Sequence, residues 1–255
     1  MTHPQPTRRT FLQAAVAAAA AMPCAAVLAA EAEAKKIRAA IVTGGHPFEE
    51  KPFLSLFEGY ADIAYTHTPQ KDQSELFEDI ANWPYDVIVF YNLTQQISDK
   101  RRANFLALMD RGVGVLALHH SLGAYNPWPE FKRIVGGKFF MPGEKEEGGE
   151  QHTPSKAGGG VPMKVKIADK EHPLTRGLAD MEFPEEWYGG MWFAPDNHVL
   201  LVTDHPQNDK TVGWVRQYRK SRTCCLQPGH GPSVYLNPTY REIVARAIRW
   251  TAKRM

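Results

Sequence analysis

Short aliphatic runs alternate with amphipathic stretches through the first half of the chain. Ile37 to Thr43, Asp62 to Thr66, Tyr85 to Tyr91 and Val113 to Leu118 read as strands. Pro52 to Gly59 predicts a short helix with proline in its first turn. Ser74 opens a second helical stretch with Leu76, Phe77 and Ile80 on one side. Ser98 caps a third, which carries Phe105, Leu106 and Met109 and closes at Arg111-Gly112. Strands separated by helical segments imply right-handed crossovers and an α/β fold, a doubly wound, mostly parallel sheet in three layers.

The pattern changes after Gly136-Gly137. Met141 to Pro162 is rich in Gly, Pro and Glu and has no periodicity, so it is expected to be an insertion loop, whether lid, binding loop or disordered segment. The second half is strand-rich, at Met163 to Ile167, Val199 to Thr203, Val212 to Tyr218 and Arg222 to Leu226. A last helix, Thr239 to Lys253, sets Ile243, Val244, Ala247 and Trp250 along one face. The stretch 35–255 suits one domain with a single core.

Residues 1–34 read differently. Thr7-Arg8-Arg9-Thr10-Phe11-Leu12 followed by an Ala-rich stretch matches a twin-arginine export signal, with cleavage expected after Ala30 or Ala34. The stretch is interrupted by Pro23 and makes a poor membrane span, so no membrane insertion is expected once it is removed. The expected destination is the periplasm or the medium. Loss of Arg8, Arg9, Glu31 and Glu33 leaves the net charge at +2, and the scattered Lys and Arg give no nucleic-acid footprint. Cys224 and Cys225 then remain, and neighbours in sequence rarely bridge, so no disulfide framework is expected.

Candidate chemistry gathers where strands end. Val113 to Leu118 runs straight into His119-His120-Ser121, and ligands of open α/β sheets bind beyond the carboxyl ends of strands. His46 follows the first strand, His205 and His230 follow later ones, and Glu185-Glu186-Trp187-Tyr188 sets carboxylates beside aromatics. His119, His120, His46 and Glu186 form the expected catalytic set. Tyr188, Trp128, Trp187, His205 and His230 are expected to bind substrate. His119, His120, His152 and Glu186 are candidate ligands for one divalent metal, whether zinc, manganese or iron, although no local ligand spacing marks them. His172 reads as a structural turn, and His67 and His198 have no special context. A serine-hydrolase reading, with Ser121, Asp204 and His230 in triad order, meets two objections. His119 occupies a position that must be small, and Asn126-Pro127-Trp128-Pro129 breaks the helix an elbow requires.

Taken together, the segments resemble the trehalose-utilisation (ThuA-like) family. The resemblance rests on Thr43-Gly44-Gly45-His46, Leu116-Ala117-Leu118-His119-His120, Trp128-Pro129-Glu130-Phe131, Gly136-Gly137-Lys138-Phe139, His172 to Leu178, Glu185 to Tyr188 and Gly229-His230. It implies a flavodoxin-like, class I glutamine amidotransferase-like fold. His119 stands where that fold's nucleophilic cysteine would be, so amidotransferase activity is excluded. It also implies a role in carbohydrate catabolism, with a sugar or 3-keto-glycoside as small-molecule partner. Acid/base elimination, isomerisation or hydrolysis, with or without a metal, would fit. The alternative is a non-catalytic sugar-binding or accessory protein, and a homo-oligomer stays open for either. Three departures from the family stand out: the longer Glu144 to Gly160 segment, Glu185 where Asp is frequent, and Arg219 where Gly is common.

Overall fold

The computed structural model describes residues 36–71, 73–93, 96–149 and 151–255, so the expected export signal at 1–34 lies outside the described residues. From Ile37 onward the chain is one compact unit. It runs β1 Ile37–Gly44, α1 Glu50–Leu54, β2 Ile63–Pro69, β3 Val87–Asn92, α2 Asp99–Arg111, β4 Gly114–Leu118, α3 Pro129–Val135, β5 Gly137–Lys138, β6 Lys156–Ile167, β7 Met181–Gly189, β8 Trp192–Phe193, β9 His198–Thr203, β10 Thr211–Tyr218, β11 Ser221–Leu226, α4 Pro232–Tyr235 and α5 Pro238–Thr251.

One nine-stranded sheet takes the order β2-β1-β3-β4-β11-β10-β9-β6-β7, and β5 pairs with β8 apart from it. The first five strands are mutually parallel. From β11 to β7 each pairing is antiparallel. The parallel strands β3 and β4 are buried at every residue, as strands covered on both faces must be. Alternate residues feed two cores. Val89, Leu116 and Cys224 face α1 and α5, whereas Ile88, Val115 and Cys225 face α2 and α3. This is the three-layer α/β arrangement expected of the sequence.

The helix boundaries have local causes. Ser98 Oγ accepts from the Arg101 main-chain N–H at the start of α2, and Gly112 closes that helix at φ +86°. Asn237 caps α5 by accepting from the N–H groups of Thr239 and Tyr240, with Pro238 in the first turn. Arg219 takes φ +50° in the tight turn between β10 and β11, a left-handed conformation that glycine adopts more easily.

Three expectations need correction. The helix from Ser74 is only a 3₁₀ turn, Glu75–Phe77, because Ser74 itself is left-handed at φ +59° and its hydroxyl is tied to Gln96 O and Tyr125. The aperiodic loop is shorter than Met141 to Pro162, since β6 begins at Lys156. Gly158 is needed there because a Cβ would lie 2.6 Å from the Trp187 indole nitrogen. Strand β7, which includes Glu185 to Tyr188, was hidden by Pro184 and its glutamates. It is an edge strand, where a proline is tolerated. Cys224 and Cys225 are free and buried, and among the described residues no helix is long and apolar enough to cross a membrane.

Candidate active site

The carboxyl ends of the parallel strands share one rim, and the candidate residues stand on it. β1 leads to His46, β3 ends at Tyr91 and Asn92, β4 leads to His119, and β11 leads to Gln227 and His230. Strand β7, five places from β4 in the sheet, returns to this rim. The Tyr188 N–H donates to Asn208 Oδ1, and the Asp209 N–H donates to Tyr188 O. That return places Glu186 Oε2 3.3 Å from His119 Nε2 and 3.4 Å from His230 Nδ1.

Main-chain carbonyls fix the imidazoles. A carbonyl oxygen only accepts, so His46 Nδ1 donates to Pro47 O (2.7 Å), His119 Nδ1 to Gln227 O (2.9 Å) and His120 Nε2 to Tyr91 O (3.3 Å). In their neutral forms this leaves the basic lone pair on His46 Nε2, His119 Nε2 and His120 Nδ1. His46 and His120 stack at 4.5 Å between ring centres. His119 stacks on Tyr188 at 5.1 Å, and the Tyr188 hydroxyl lies 3.2 Å from its Nε2.

The backbone is strained at this rim. His119 holds φ +50°, a left-handed conformation for a side chain 1% exposed. Opposite it stands Gly229 at φ +153°, where a Cβ would meet His119 Cβ at 2.9 Å and the Tyr240 hydroxyl at 3.3 Å. Glu185 explains how this turn is held. Its buried carboxylate accepts from the N–H groups of Gly229 (3.1 Å) and His230 (3.2 Å), and lies 3.8 Å from His119 Nδ1.

The electrostatics follow from burial and neighbours. Burial raises the Glu185 pKa above the ordinary carboxylate range, against the nearby His119 and its backbone donors. Burial opposes charge on both His119 and Glu186. It is outweighed only by several partners acting together: the mutual hydrogen bond with Glu185 and Gln227 O raises the imidazole, and the same bond with His230 and Tyr188 lowers the carboxylate. Burial, with His119 and His46 adding like charge, pushes His120 well below its usual value. Tyr188 is raised well above the phenol range by burial and by Glu186 and Glu185, so its hydroxyl keeps its proton.

Over this rim lies a pocket of about 230 Å³. His46, His120, Glu186 and Tyr188 form its polar side, and Leu93, Gly123, Phe139, Met141 and Ala157 form the rest. The structure therefore brings together His46, His119, His120, Glu186, Tyr188 and His230.

Four expected residues stand elsewhere. Trp128 is buried in the α2/α3 core beside Phe105 and Phe131. Trp187 points to the opposite side of β7 from Glu186 and packs against Gly158. His205 is in the turn after β9, where its ring accepts from Gln207 N. His152 stacks on Phe140 and meets Glu146 (3.2 Å) in a separate ionic cluster, where Lys132 and the fully buried Lys138 also face Glu146. His152 is thus not brought to His119, and the expected metal set is not assembled as written.

The serine-hydrolase triad is not assembled either. Ser121 is fully buried with its hydroxyl unpartnered, and Asp204 pairs with Lys166 at the surface. The sequence reading missed Gln227, which accepts from His119 and donates to Glu186 O, and Glu185 as the clamp of the Gly229 turn. The Gly-His-Gly spacing after β11 was their only trace.

Residues 38–251 match the family described as trehalose utilisation (ThuA). No curated protein matches the sequence. Among solved structures, a ThuA-like protein from Parabacteroides merdae is similar at TM-score 0.72 and 17% identity, over 86% of this chain and 90% of that one. Another from Bacteroides uniformis gives TM-score 0.60 at 24% identity, over 84% and 91%. PurLQS from Thermotoga maritima gives 0.54 at 11% identity, over 84% and 99%, which shows the amidotransferase-like fold.

Proposed function

This chain belongs to the trehalose-utilisation (ThuA) family and so has a carbohydrate-related role; from that premise we propose that it is an enzyme that takes a proton from the carbon beside a sugar carbonyl, with a 3-keto-glycoside as substrate. One observation carries the reading. A single pocket sets paired imidazoles, His46 and His120, against a proton-holding phenol, Tyr188, and a carboxylate, Glu186. Proton abstraction next to a ketone needs such a division, a base on one side and an electrophile holding the carbonyl oxygen on the other. The pocket suits one sugar ring, whose C–H face meets Phe139 and Leu93 while its hydroxyls meet the polar wall.

In this reading His46 Nε2 takes the proton from C2, and the electron pair moves onto the C3 oxygen, where the Tyr188 hydroxyl donates to it. Collapse of that enolate breaks the C1–O bond, and the departing alcohol receives the proton from His46. His120 stacks on His46 and holds its ring. Protonated His119 Nε2 donates to the Tyr188 oxygen and leaves the phenol proton for the substrate, while Glu186 steadies the His119 ring.

The test is proton NMR of a 3-keto-glycoside in D₂O, which detects C2–H exchange whether or not elimination follows. Wild type should exchange, and His46→Ala and Tyr188→Phe should lose about 100-fold or more. Saturable sugar binding without exchange would refute catalysis and support the sugar-binding alternative. We further propose export through the twin-arginine route. Fractionation of cells carrying Arg8→Lys and Arg9→Lys together should show the protein retained inside, and unchanged export would refute it.

A further inference from the structure

We propose that His119 Nε2, a Glu186 carboxylate oxygen and His230 Nδ1 form a binding site for one divalent transition-metal ion such as zinc, manganese or cobalt. The three donor atoms come from three elements, the end of β4, strand β7 and the turn after β11, and all lie within 4.8 Å of one another. Metal–ligand bonds of about 2.1 Å at tetrahedral angles put donor atoms about 3.4 Å apart. The two edges through Glu186 already measure 3.3 and 3.4 Å. Closing the third edge requires only rotation of His230, whose side chain is half exposed.

The surroundings also fit. Metal-binding imidazoles characteristically donate their other N–H to a carbonyl, which fixes the tautomer and leaves the ligating lone pair in place. His119 does this through Nδ1 to Gln227 O, and the Gln227 amide also donates to Glu186 O. The backbone of His230 is held by Glu185. Two carboxylates, Glu185 and Glu186, therefore stand around two imidazoles, a charge balance that a dication neutralises. Two imidazoles and a carboxylate from the protein leave further coordination positions open, as in catalytic rather than structural sites. Tyr188, beside His119 Nε2, lines the pocket on that side.

This site does not depend on the proposed reaction, and the experiment keeps the two apart. Untagged, metal-stripped protein is titrated with Co²⁺ and with Zn²⁺, following heat and the visible absorption of cobalt. One ion per chain is expected, with visible bands of a nitrogen- and oxygen-ligated cobalt site. His230→Ala, at a half-exposed position that the fold should tolerate, and Glu186→Gln should each weaken binding about 100-fold or more. His205→Ala, in a turn away from the site, should change nothing. Absence of stoichiometric binding, binding indifferent to His230→Ala, or binding lost only in His152→Ala would each overturn the assignment. Metal binding without C2–H exchange would sink the reaction and keep the site. Exchange by protein that binds no metal would sink the site alone.

Discussion

Replacing Gly229 with alanine would test whether the site depends on the close approach of two turns. The new Cβ would stand 2.9 Å from His119 Cβ, whereas carbon atoms in contact settle at about 3.5–4.0 Å. His119 or the 229–230 turn must therefore yield by about 0.6–1.1 Å. Misplacement of about 1 Å in a reacting group costs about 100-fold in rate. The φ of +153° adds strain of about 1–3 kcal/mol and the overpacking a similar amount, so a loss of about 2–6 kcal/mol is expected. In a domain of this size each kcal/mol lowers Tm by about 2–4 °C. Gly231→Ala is the matched control, because its backbone is extended at φ −168° and a Cβ there meets nothing within 4 Å. Thermal unfolding and C2–H exchange are measured on both. Gly229→Ala should lose stability and about 100-fold in exchange while Gly231→Ala keeps both. Wild-type exchange in a folded Gly229→Ala protein would refute the claim that this contact sets the geometry.

Further outcomes follow from other features. Tyr188→Phe keeps the ring stacked on His119 but removes the hydroxyl 3.2 Å from its Nε2, so exchange should fall about 100–1000-fold with stability within about 1 kcal/mol. A matching stability loss would point to a packing role instead. Asn237→Ala removes the cap of α5 and should cost about 0.5–2 kcal/mol in urea unfolding. Burial lowers the Lys138 pKa to about 8, so below that pH the folded protein bears the cost of a charged buried amine, and the cost fades as pH rises toward 10.5. Lys138→Met removes this titration together with the donor to Asn126 O and a cation beside Glu146, so wild type should gain an advantage over it of up to about 3 kcal/mol between pH 8 and 10.5. An advantage independent of pH would contradict this.

The parallel half of the fold was legible because its strands are uninterrupted aliphatic runs, and that reading placed His46 and His119 on the right rim. Strand β7 was not legible. Its inward residues Met181, Phe183 and Glu185 alternate with Glu182 and Pro184, and a proline beside a buried glutamate imitates a loop. Glu186 and Tyr188 could be picked out by type, but their arrival at His119 depends on antiparallel pairings between strands distant in sequence. The aromatics misled for a related reason. Trp128 and Trp187 have the chemistry of a sugar platform, yet each fills a gap between elements, one under α2 and the other over Gly158. Nothing in local spacing separates those roles. His152 follows the same logic, since Glu146, anchored by Lys132 and Lys138, holds it in a separate cluster that its own spacing does not reveal.

The position of Glu186 on an edge strand of the sheet has a consequence for how this scaffold can change. His119 sits at the end of a strand locked between neighbours on both sides, whereas Glu186 rides on a hairpin attached along one edge only. Lengthening, twisting or re-registering that hairpin would re-aim the carboxylate and reshape one pocket wall while the parallel framework stayed intact. New substrates could thus be explored by altering a peripheral arm, with the imidazole anchor left as a constant.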